Sequence, residues 1–312
     1  MNIQQLEYIV ALDNHRHFVK AAEDCNISQP TLSMMVQRLE EELNVKLFDR
    51  TKYPIEPTSI GSLVLEQARI TLKNINQIKE VVDNERESIK GNFRLGIIPT
   101  IAPYLVPELL QKWHSESNEI ELKLRETTTD RIIEGILSGT LDGGLLAGPI
   151  RHPYIDEYPI YYEKFYAYVS KEDIYKCKEI DLEQVDIDKV WLLENIHCLR
   201  GQVEQLCSRK KKSGEENIKV KYEAGNIETL IHIVDYNKGL TVIPEMFAMG
   251  LSEERQDNLR DFKNMTAVRE VSLIVSKEYV RKKMMDIIIE AIRKSVPKSM
   301  LDTSLKEFVV EL

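Results

Sequence analysis

Two cysteines in this 312-residue chain, Cys198 and Cys207, have a spacing that suits redox chemistry. They lie nine positions apart. A zinc site usually needs closer pairs and further ligands, and a thioredoxin-like exchange enzyme needs C-x-x-C, so neither is predicted. Four cysteines are also too few for a secreted disulfide scaffold. The sequence therefore predicts no bound metal and no cofactor, and the default for each cysteine is a buried or idle thiol.

The chain between the two cysteines contains good helix formers after Gly201. If the whole segment is helical, nine steps of about 1.5 Å separate the Cα atoms by about 13 Å and put them on opposite faces. A disulfide needs Cα atoms within roughly 7 Å. Helix and disulfide therefore exclude each other, and the pair is predicted to act as a conformational switch, helped by the backbone freedom of Gly201.

Local charge gives a first indication of which thiol reacts. The thiolate is the nucleophile, and nearby cations favour it. Cys198 lies between His197 and Arg200, whereas Cys207 is followed by the basic run 209–212. Charge alone slightly favours Cys207.

Composition is that of a soluble globular protein, with 43% hydrophobic and 30% charged residues. No apolar run approaches the roughly 20 residues that span a bilayer, and the N-terminus does not resemble a secretory signal. We expect a cytoplasmic protein of about two domains, with no membrane partner. The net charge of −9 weakly disfavours nucleic acid, but a small basic face is enough to bind phosphates.

The first 57 residues suit a small helical unit. Ser28 is a predicted N-cap, Pro30 falls in the first helical turn, and a buried stripe is expected at Leu32, Val36, Leu39 and Leu43. Residues 46–57, with Lys46, Arg50 and Lys52, suit a short hairpin or wing. This pattern fits a DNA-binding helix-turn-helix, and it equally fits a generic three-helix unit with a solvated basic face.

Residues 59–90 are predicted to form one long helix. Two seven-residue repeats are present, and Leu65 and Leu72 widen the apolar stripe. The repeats are Val64, Thr71 and Ile78, and Ala68, Ile75 and Val82. They favour a coiled-coil seam with a second chain, and the alternative is a helix packed on its own protein.

From Phe93 onward, short apolar runs alternate with helical stretches. This is the pattern of an α/β fold, predicted here with a mostly parallel sheet. Ligands of such folds bind beyond the carboxyl ends of strands, where Pro99-Thr100 and Gly148-Pro149 are expected.

The N-terminal sixty residues resemble the DNA-binding domain of LysR-type transcriptional regulators. The motifs that carry the resemblance are Leu6-Glu7-Tyr8, His15-Arg16-His17-Phe18, Ala21-Ala22, Ser28-Gln29-Pro30-Thr31-Leu32-Ser33, Leu39-Glu40 and Leu47-Phe48-Asp49-Arg50. Later runs resemble the peroxide-sensing members of that family, so that nearly the whole chain is covered. These runs are Leu95-Gly96-Ile97-Ile98-Pro99-Thr100, Pro103-Tyr104-Leu105, His197-Cys198-Leu199-Arg200 with Cys207, and Ile227-Glu228-Thr229-Leu230.

The resemblance implies an α/β chain with an N-terminal winged helix-turn-helix (1–58) and a linker and dimerisation helix (59–90). A regulatory domain (91–312) similar to periplasmic binding proteins would follow, with one subdomain from 91–162 and 268–301 and the other from 163–267. It implies a hydrogen peroxide-sensing activator of antioxidant genes that binds double-stranded promoter DNA. The chain would pair with itself through 59–90, form a tetramer and contact RNA polymerase.

The resemblance also assigns roles to residues. Cys198 would be the peroxide-reactive thiol, oxidised to sulfenic acid, and Cys207 the resolving thiol. Thr100, Thr129, His197 and Arg269 would form the peroxide pocket. The DNA-binding residues would be Gln29, Pro30, Thr31, Ser33, Met34, Arg38, Arg50 and Lys52.

This chain departs from the family pattern at two places. Gly201 replaces an acidic residue, which bears on peroxide reactivity, and Met34-Met35 replaces a small or polar residue followed by Gln, which bears on base readout. Cys25 and Cys177 are interpreted as structural or idle. Two alternatives stay open: a LysR-type regulator that senses a small organic molecule in the cleft between subdomains, and a thiol peroxidase.

Overall fold

The computed structural model describes residues 1–84, 89–115, 119–170, 178–181, 185, 190–194, 198–207 and 223–310. The chain divides into two compact units. One is Met1–Glu87 with Leu137–Thr140, and the other is Ser88–Ile136 with Leu141–Leu312. Among the described residues, no helix is both long enough and apolar enough to cross a membrane.

The N-terminal unit is a helical domain with a small hairpin. Its elements are α1 (Ile3–His15), α2 (Phe18–Asp24), α3 (Gln29–Leu43), β1 (Phe48–Asp49), β2 (Glu56–Pro57) and α4 (Ser59–Asn84). The Ser28 hydroxyl caps α3 by accepting a hydrogen bond from the Thr31 backbone N–H at 3.3 Å, with Pro30 in the first turn. The predicted start of this helix is confirmed, because a cap and a fixed φ act within a few residues.

The buried face of α3 differs from the predicted stripe at its C-terminal end. Leu32, Val36 and Leu39 are buried, but Leu43 is exposed and Glu40 is buried in its place. The prediction for Leu43 was therefore wrong. The Glu40 carboxylate accepts hydrogen bonds from the backbone N–H groups of the following segment, which stabilise it in the interior.

Helix α4 packs its first half on its own unit. Leu65 and Ala68 are buried in a cluster with residues of α1, and Val64 and Leu72 are partly buried against it. Leu65 and Ala68 were predicted to lie in a seam with a second chain, and for these two residues that prediction is corrected. The face of α4 that carries them packs on the helical domain of its own chain. A different face, with Leu63 and Ile70, is exposed.

The C-terminal unit is built on one mixed sheet. Its described strands are β3 (Gly91–Ile97), β4 (Ile120–Glu126), β5 (Gly143–Gly148), β6 (Ile155–Val169), β7 (Glu179–Ile180), β8 (Leu240–Pro244), β9 (Leu259–Phe262) and β10 (Val268–Ser276). They follow the order β4-β3-β5-β10-β6-β9-β7, and β8 pairs with β6. The described helices are α5 (Ala102–Ser115), α6 (Thr129–Leu137), α7 (Cys198–Cys207), α8 (Ile227–Asn237), α9 (Glu245–Met249), α10 (Glu253–Gln256) and α11 (Lys282–Lys294).

The prediction of a mostly parallel sheet was wrong. Strand β3 is parallel to β4 and β5, but β10 lies antiparallel between β5 and β6, and β6 is antiparallel to β8 and β9. Strand β10 returns from far along the chain and joins the sheet in the opposite direction. No local pattern reveals such a return, although the α/β alternation itself is confirmed.

Candidate functional site

Helix α7 carries both candidate redox cysteines, one at each end. The ten residues Cys198–Cys207 form one helix. Leu199, Val203 and Leu206 are buried in the core that also contains α8. Their spacing of four and three residues is that of one helical face. The side chains of Cys198 and Cys207 lie outside what the structure describes, but the backbone fixes the separation of their Cα atoms at about 13 Å.

The guanidinium of Arg200 anchors α7 to the segments around it. It donates to Glu204 Oε1 at 2.9 Å, to the Leu193 carbonyl at 3.1 Å and to Glu223 Oε1 at 2.6 Å. These hydrogen bonds, led by that to Glu223, raise the pKa of Arg200. The positive charge that the sequence places near Cys198 is therefore compensated by two carboxylates.

Gln202 is a feature of α7 that the sequence interpretation missed. The residue is fully buried, and neither its amide nitrogen nor its amide oxygen has a hydrogen-bond partner among the described residues. A buried amide without partners costs about 1–3 kcal/mol of stability. Helix α7 thus holds an internal polar group that weakens it.

A buried polar cluster brings together two of the predicted pocket residues. Arg269 lies in β10 and donates through Nη1 to the Thr100 hydroxyl and through Nη2 to the Thr100 carbonyl, both at 3.1 Å. Thr100 follows β3, at the expected carboxyl end of a strand. Both residues are buried, so this cluster is shielded from solvent.

Glu163 completes this cluster and was not predicted. It lies directly opposite Arg269 in the antiparallel register of β6 and β10, and its Oε1 accepts from Arg269 Nε at 2.6 Å. Its Oε2 accepts from the backbone N–H of Met246 at the start of α9, at 3.1 Å. Neither side chain of the pair is more than 1% exposed. The ion pair is therefore shielded from water and ties β6, β10 and α9 together.

Tyr161 lies two residues before Glu163 on β6, and its hydroxyl is buried without a hydrogen-bond partner among the described residues. Burial raises the pKa of this hydroxyl well above its usual value. Glu163 adds to the rise and Arg269 opposes it. The phenol is therefore held in its neutral form beside the ion pair.

The two other predicted pocket residues are Thr129 and His197. Thr129 begins α6 just after β4 and is half-buried. The backbone N–H of Thr127 donates to the Ile97 carbonyl at 3.0 Å, so Thr129 lies at the same sheet edge as Thr100. His197 lies outside the described residues, as does Cys177.

The predicted DNA-binding side chains of α3 are accessible to different degrees. Pro30, Met34 and Arg38 are exposed, and Gln29, Thr31 and Ser33 are half-buried. In the wing, Arg50 pairs with Glu40 and Lys52 pairs with Glu56. Lys46, the third basic residue of the wing, also pairs with Glu40, so all three cations have an acidic partner within the unit, which the sequence interpretation did not foresee. In the described part of the chain, no group of three or more His, Cys, Asp or Glu side chains is arranged to hold a metal ion.

Comparisons with known proteins agree along the length of the chain. Residues 3–62 match the family model of bacterial regulatory helix-turn-helix proteins of the lysR family, and residues 86–297 match the LysR substrate binding domain. The chain is 33% identical to the hydrogen peroxide-inducible genes activator of Pectobacterium carotovorum, over 82% of this chain and 83% of that protein. It is also 33% identical to the DNA-binding transcriptional dual regulator OxyR of Escherichia coli, over 82% of both. Among solved structures, a full-length OxyR variant of Pseudomonas aeruginosa aligns with a TM-score of 0.77 at 28% identity, covering 94% of this chain and 98% of that one.

Proposed function

This chain belongs to the LysR family of bacterial DNA-binding regulators, which are not enzymes, and from that premise we propose that it regulates promoters in response to hydrogen peroxide. Relatives named as hydrogen peroxide-inducible activators support the signal. The observation that carries the proposal is α7, one intact helix with a cysteine at each end. Its conformation is incompatible with a disulfide between those cysteines.

The proposed chemistry has two steps. The Cys198 thiolate attacks one peroxide oxygen, so an S–O bond forms, the O–O bond breaks, and hydroxide leaves to be protonated to water. The Cys207 thiolate then attacks the sulfur of this sulfenic acid. An S–S bond forms, the S–O bond breaks, and a second hydroxide leaves as water. The two thiols are oxidised by two electrons and the peroxide is reduced to two waters.

The proposed pocket comprises Thr100, Thr129, His197 and Arg269, which would bind the peroxide oxygens. The contacts between Thr100 and Arg269 support this assignment for those two. Hydroxyl and guanidinium groups at a sheet edge offer donors to the oxygen that leaves. Glu163 would keep the guanidinium in place.

The proposed organisation follows the predicted boundaries. Residues 1–58 would bind promoter DNA, 59–90 would join two copies, and 91–312 would sense the signal. Subdomains of 91–162 with 268–301 and of 163–267 would then move when α7 unwinds. The exposed Leu63 and Ile70 on α4 support self-association there. A cytoplasmic tetramer that contacts RNA polymerase is the complete form of this proposal.

The direct test of function is a footprint. Protein kept in the thiol form and protein treated with peroxide are bound to a duplex that the unaltered protein selects from a random-sequence pool, and the protected bases are mapped. We expect the two protected regions to differ in extent, because a changed regulatory domain would change how subunits meet. Identical footprints for fully thiol and fully disulfide protein would contradict the proposed function.

Removing the unpaired amide of Gln202 should bias the switch toward the thiol form. Gln202→Met keeps the volume but removes the buried polar group, which should stabilise α7 by about 1–2 kcal/mol. Only the thiol form contains the intact helix, so the reduction potential of the cysteine pair should become less negative by about 20–40 mV.

The measurement is a thiol–disulfide titration against a glutathione buffer. Gln205→Met is the matched control, because it makes the same change at an exposed position of α7. An unchanged potential for Gln202→Met, together with a higher melting temperature, would show that α7 persists in both redox states.

A further inference from the structure

Arg50 is the most firmly held of the three basic residues at the wing. Its Nη2 donates to Glu40 Oε2 at 3.2 Å, and its guanidinium carbon lies 5.3 Å from the ring centroid of Phe18. Its side chain is 36% exposed, against 57% for Lys52 and 69% for Lys46. A carboxylate and an aromatic face therefore fix this guanidinium from two directions.

The Glu40 carboxylate joins α3 to the wing through both of its oxygens. Its Oε1 accepts from the backbone N–H of Leu47 at 2.8 Å and of Phe48 at 3.3 Å, and its Oε2 accepts from Arg50 at 3.2 Å and from Lys46 Nζ at 3.3 Å. The Glu40 side chain is 1% exposed. One oxygen thus fixes the backbone where β1 begins, and the other holds the exposed Lys46 and the less exposed Arg50 near the helix that carries the predicted base contacts.

The other side of the wing is fixed by α4. The Thr58 backbone N–H donates to the Leu47 carbonyl at 2.9 Å, and Gly61 approaches that carbonyl so closely that a Cβ would lie 1.9 Å from its oxygen. The segment that leads into the wing is therefore immobilised between α3 and α4. The Arg50 side chain in the wing is therefore held in a defined position relative to α3.

Within the part of the chain that the structure describes, Arg50 makes one side-chain hydrogen bond, although a guanidinium carries five N–H donors. Its fork geometry matches a phosphate, and ordering it in advance removes part of the entropy cost of binding. We propose that Glu40 and Phe18 are positioning residues that aim Arg50 at a backbone phosphate of duplex DNA next to α3. This inference rests on DNA binding by the N-terminal unit and not on the response to peroxide.

The test measures how affinity depends on salt. A duplex is first selected from a random-sequence pool by the unaltered protein in its thiol form. Arg50→Ala should weaken binding roughly tenfold and reduce the slope of log K against log[salt] by about 0.9, the loss of one phosphate contact. Glu40→Gln retains a carbonyl oxygen for the N–H groups of Leu47 and Phe48 but loses the charge that holds Arg50. It should produce the same loss of slope.

A double-variant cycle separates positioning from a merely structural role. The combined Glu40→Gln and Arg50→Ala variant should bind no worse than Arg50→Ala alone. Glu42→Gln removes the same charge from an exposed position of α3 and should leave the slope unchanged. If Glu40→Gln fails to fold by circular dichroism, Phe18→Leu replaces it in the cycle with the same expectation.

An unchanged slope in Glu40→Gln, or losses that add in the double variant, would overturn the inference. Failure of the unaltered protein to select any duplex would overturn it together with the proposed function. Selection of a duplex without any response to peroxide would contradict the proposed function alone.

Discussion

Cys198→Ser should abolish the response of promoter binding to hydrogen peroxide while leaving binding by the thiol form intact. The hydroxyl that replaces the thiol does not form the sulfenic acid, so no disulfide with Cys207 follows. Helix α7 would then keep the conformation seen over Cys198–Cys207 at every peroxide concentration. The measurement is the footprint of the variant before and after peroxide, with mass spectrometry of the treated protein.

Two further variants make this result specific. Cys207→Ser should accumulate a sulfenic acid at Cys198 that a 1,3-dione reagent traps, because the second thiol is missing. Cys25→Ser should respond like the unaltered protein, since Cys25 lies in the helical unit and burial raises the pKa of its thiol. A footprint of Cys198→Ser that still changes with peroxide would rule out the cysteine switch.

Glu163→Met should cost the C-terminal unit about 3–5 kcal/mol of its free energy of unfolding. The substitution leaves the buried Arg269 guanidinium without its carboxylate, and an uncompensated charge in the interior is strongly destabilising. The double variant Glu163→Met with Arg269→Met should recover most of this loss, because apolar side chains of similar volume often replace a buried ion pair without penalty.

Urea denaturation of the full chain measures these changes. The matched control is Glu119→Gln, which breaks the exposed pair with Lys90 in the same unit and should cost about 1 kcal/mol or less. A loss below about 1 kcal/mol for Glu163→Met, or a double variant less stable than either single variant, would show that an unpaired buried charge is not the source of the cost.

Local features of the N-terminal unit could be predicted because their causes lie within a few residues. The Ser28 cap and Pro30 define the start of α3 without reference to any other element. Glu40 could not be placed in the same way, since its partners Leu47, Phe48 and Arg50 belong to a later segment. A charged residue adjacent to an apolar stripe is normally assigned to solvent, and only the folded wing makes it buried.

The strand directions of the sheet and the buried polar cluster also depend on partners that are distant in the sequence. Arg269 and Glu163 are 106 residues apart in the chain and meet only through the register of β6 with β10. Without that register, each residue looks solvated. The α/β alternation was readable from local apolar runs, whereas strand direction depended on the return of β10 from the C-terminal part of the chain.

For Cys198 and Cys207, part of the prediction came from nearby residues and part did not. Helix formers between Cys198 and Cys207 made a helix conceivable, and the helix is present. The reactive roles of Cys198 and Cys207, and the pocket roles of Thr129 and His197, came from the family resemblance and stay predictions. No spacing rule could have indicated the unpaired amide of Gln202, because its surroundings are assembled by the core around α7 and α8.

Amide hydrogen exchange over residues 198–207 in the two redox states is the most direct test of the mechanism proposed here. In the thiol form, the amides of the last two turns should be protected by the backbone hydrogen bonds of α7. In protein that mass spectrometry shows to contain the intramolecular disulfide, that protection should be lost. Equal protection of this segment in both forms would contradict the proposed switch, since it would mean that the bond forms without unwinding the helix.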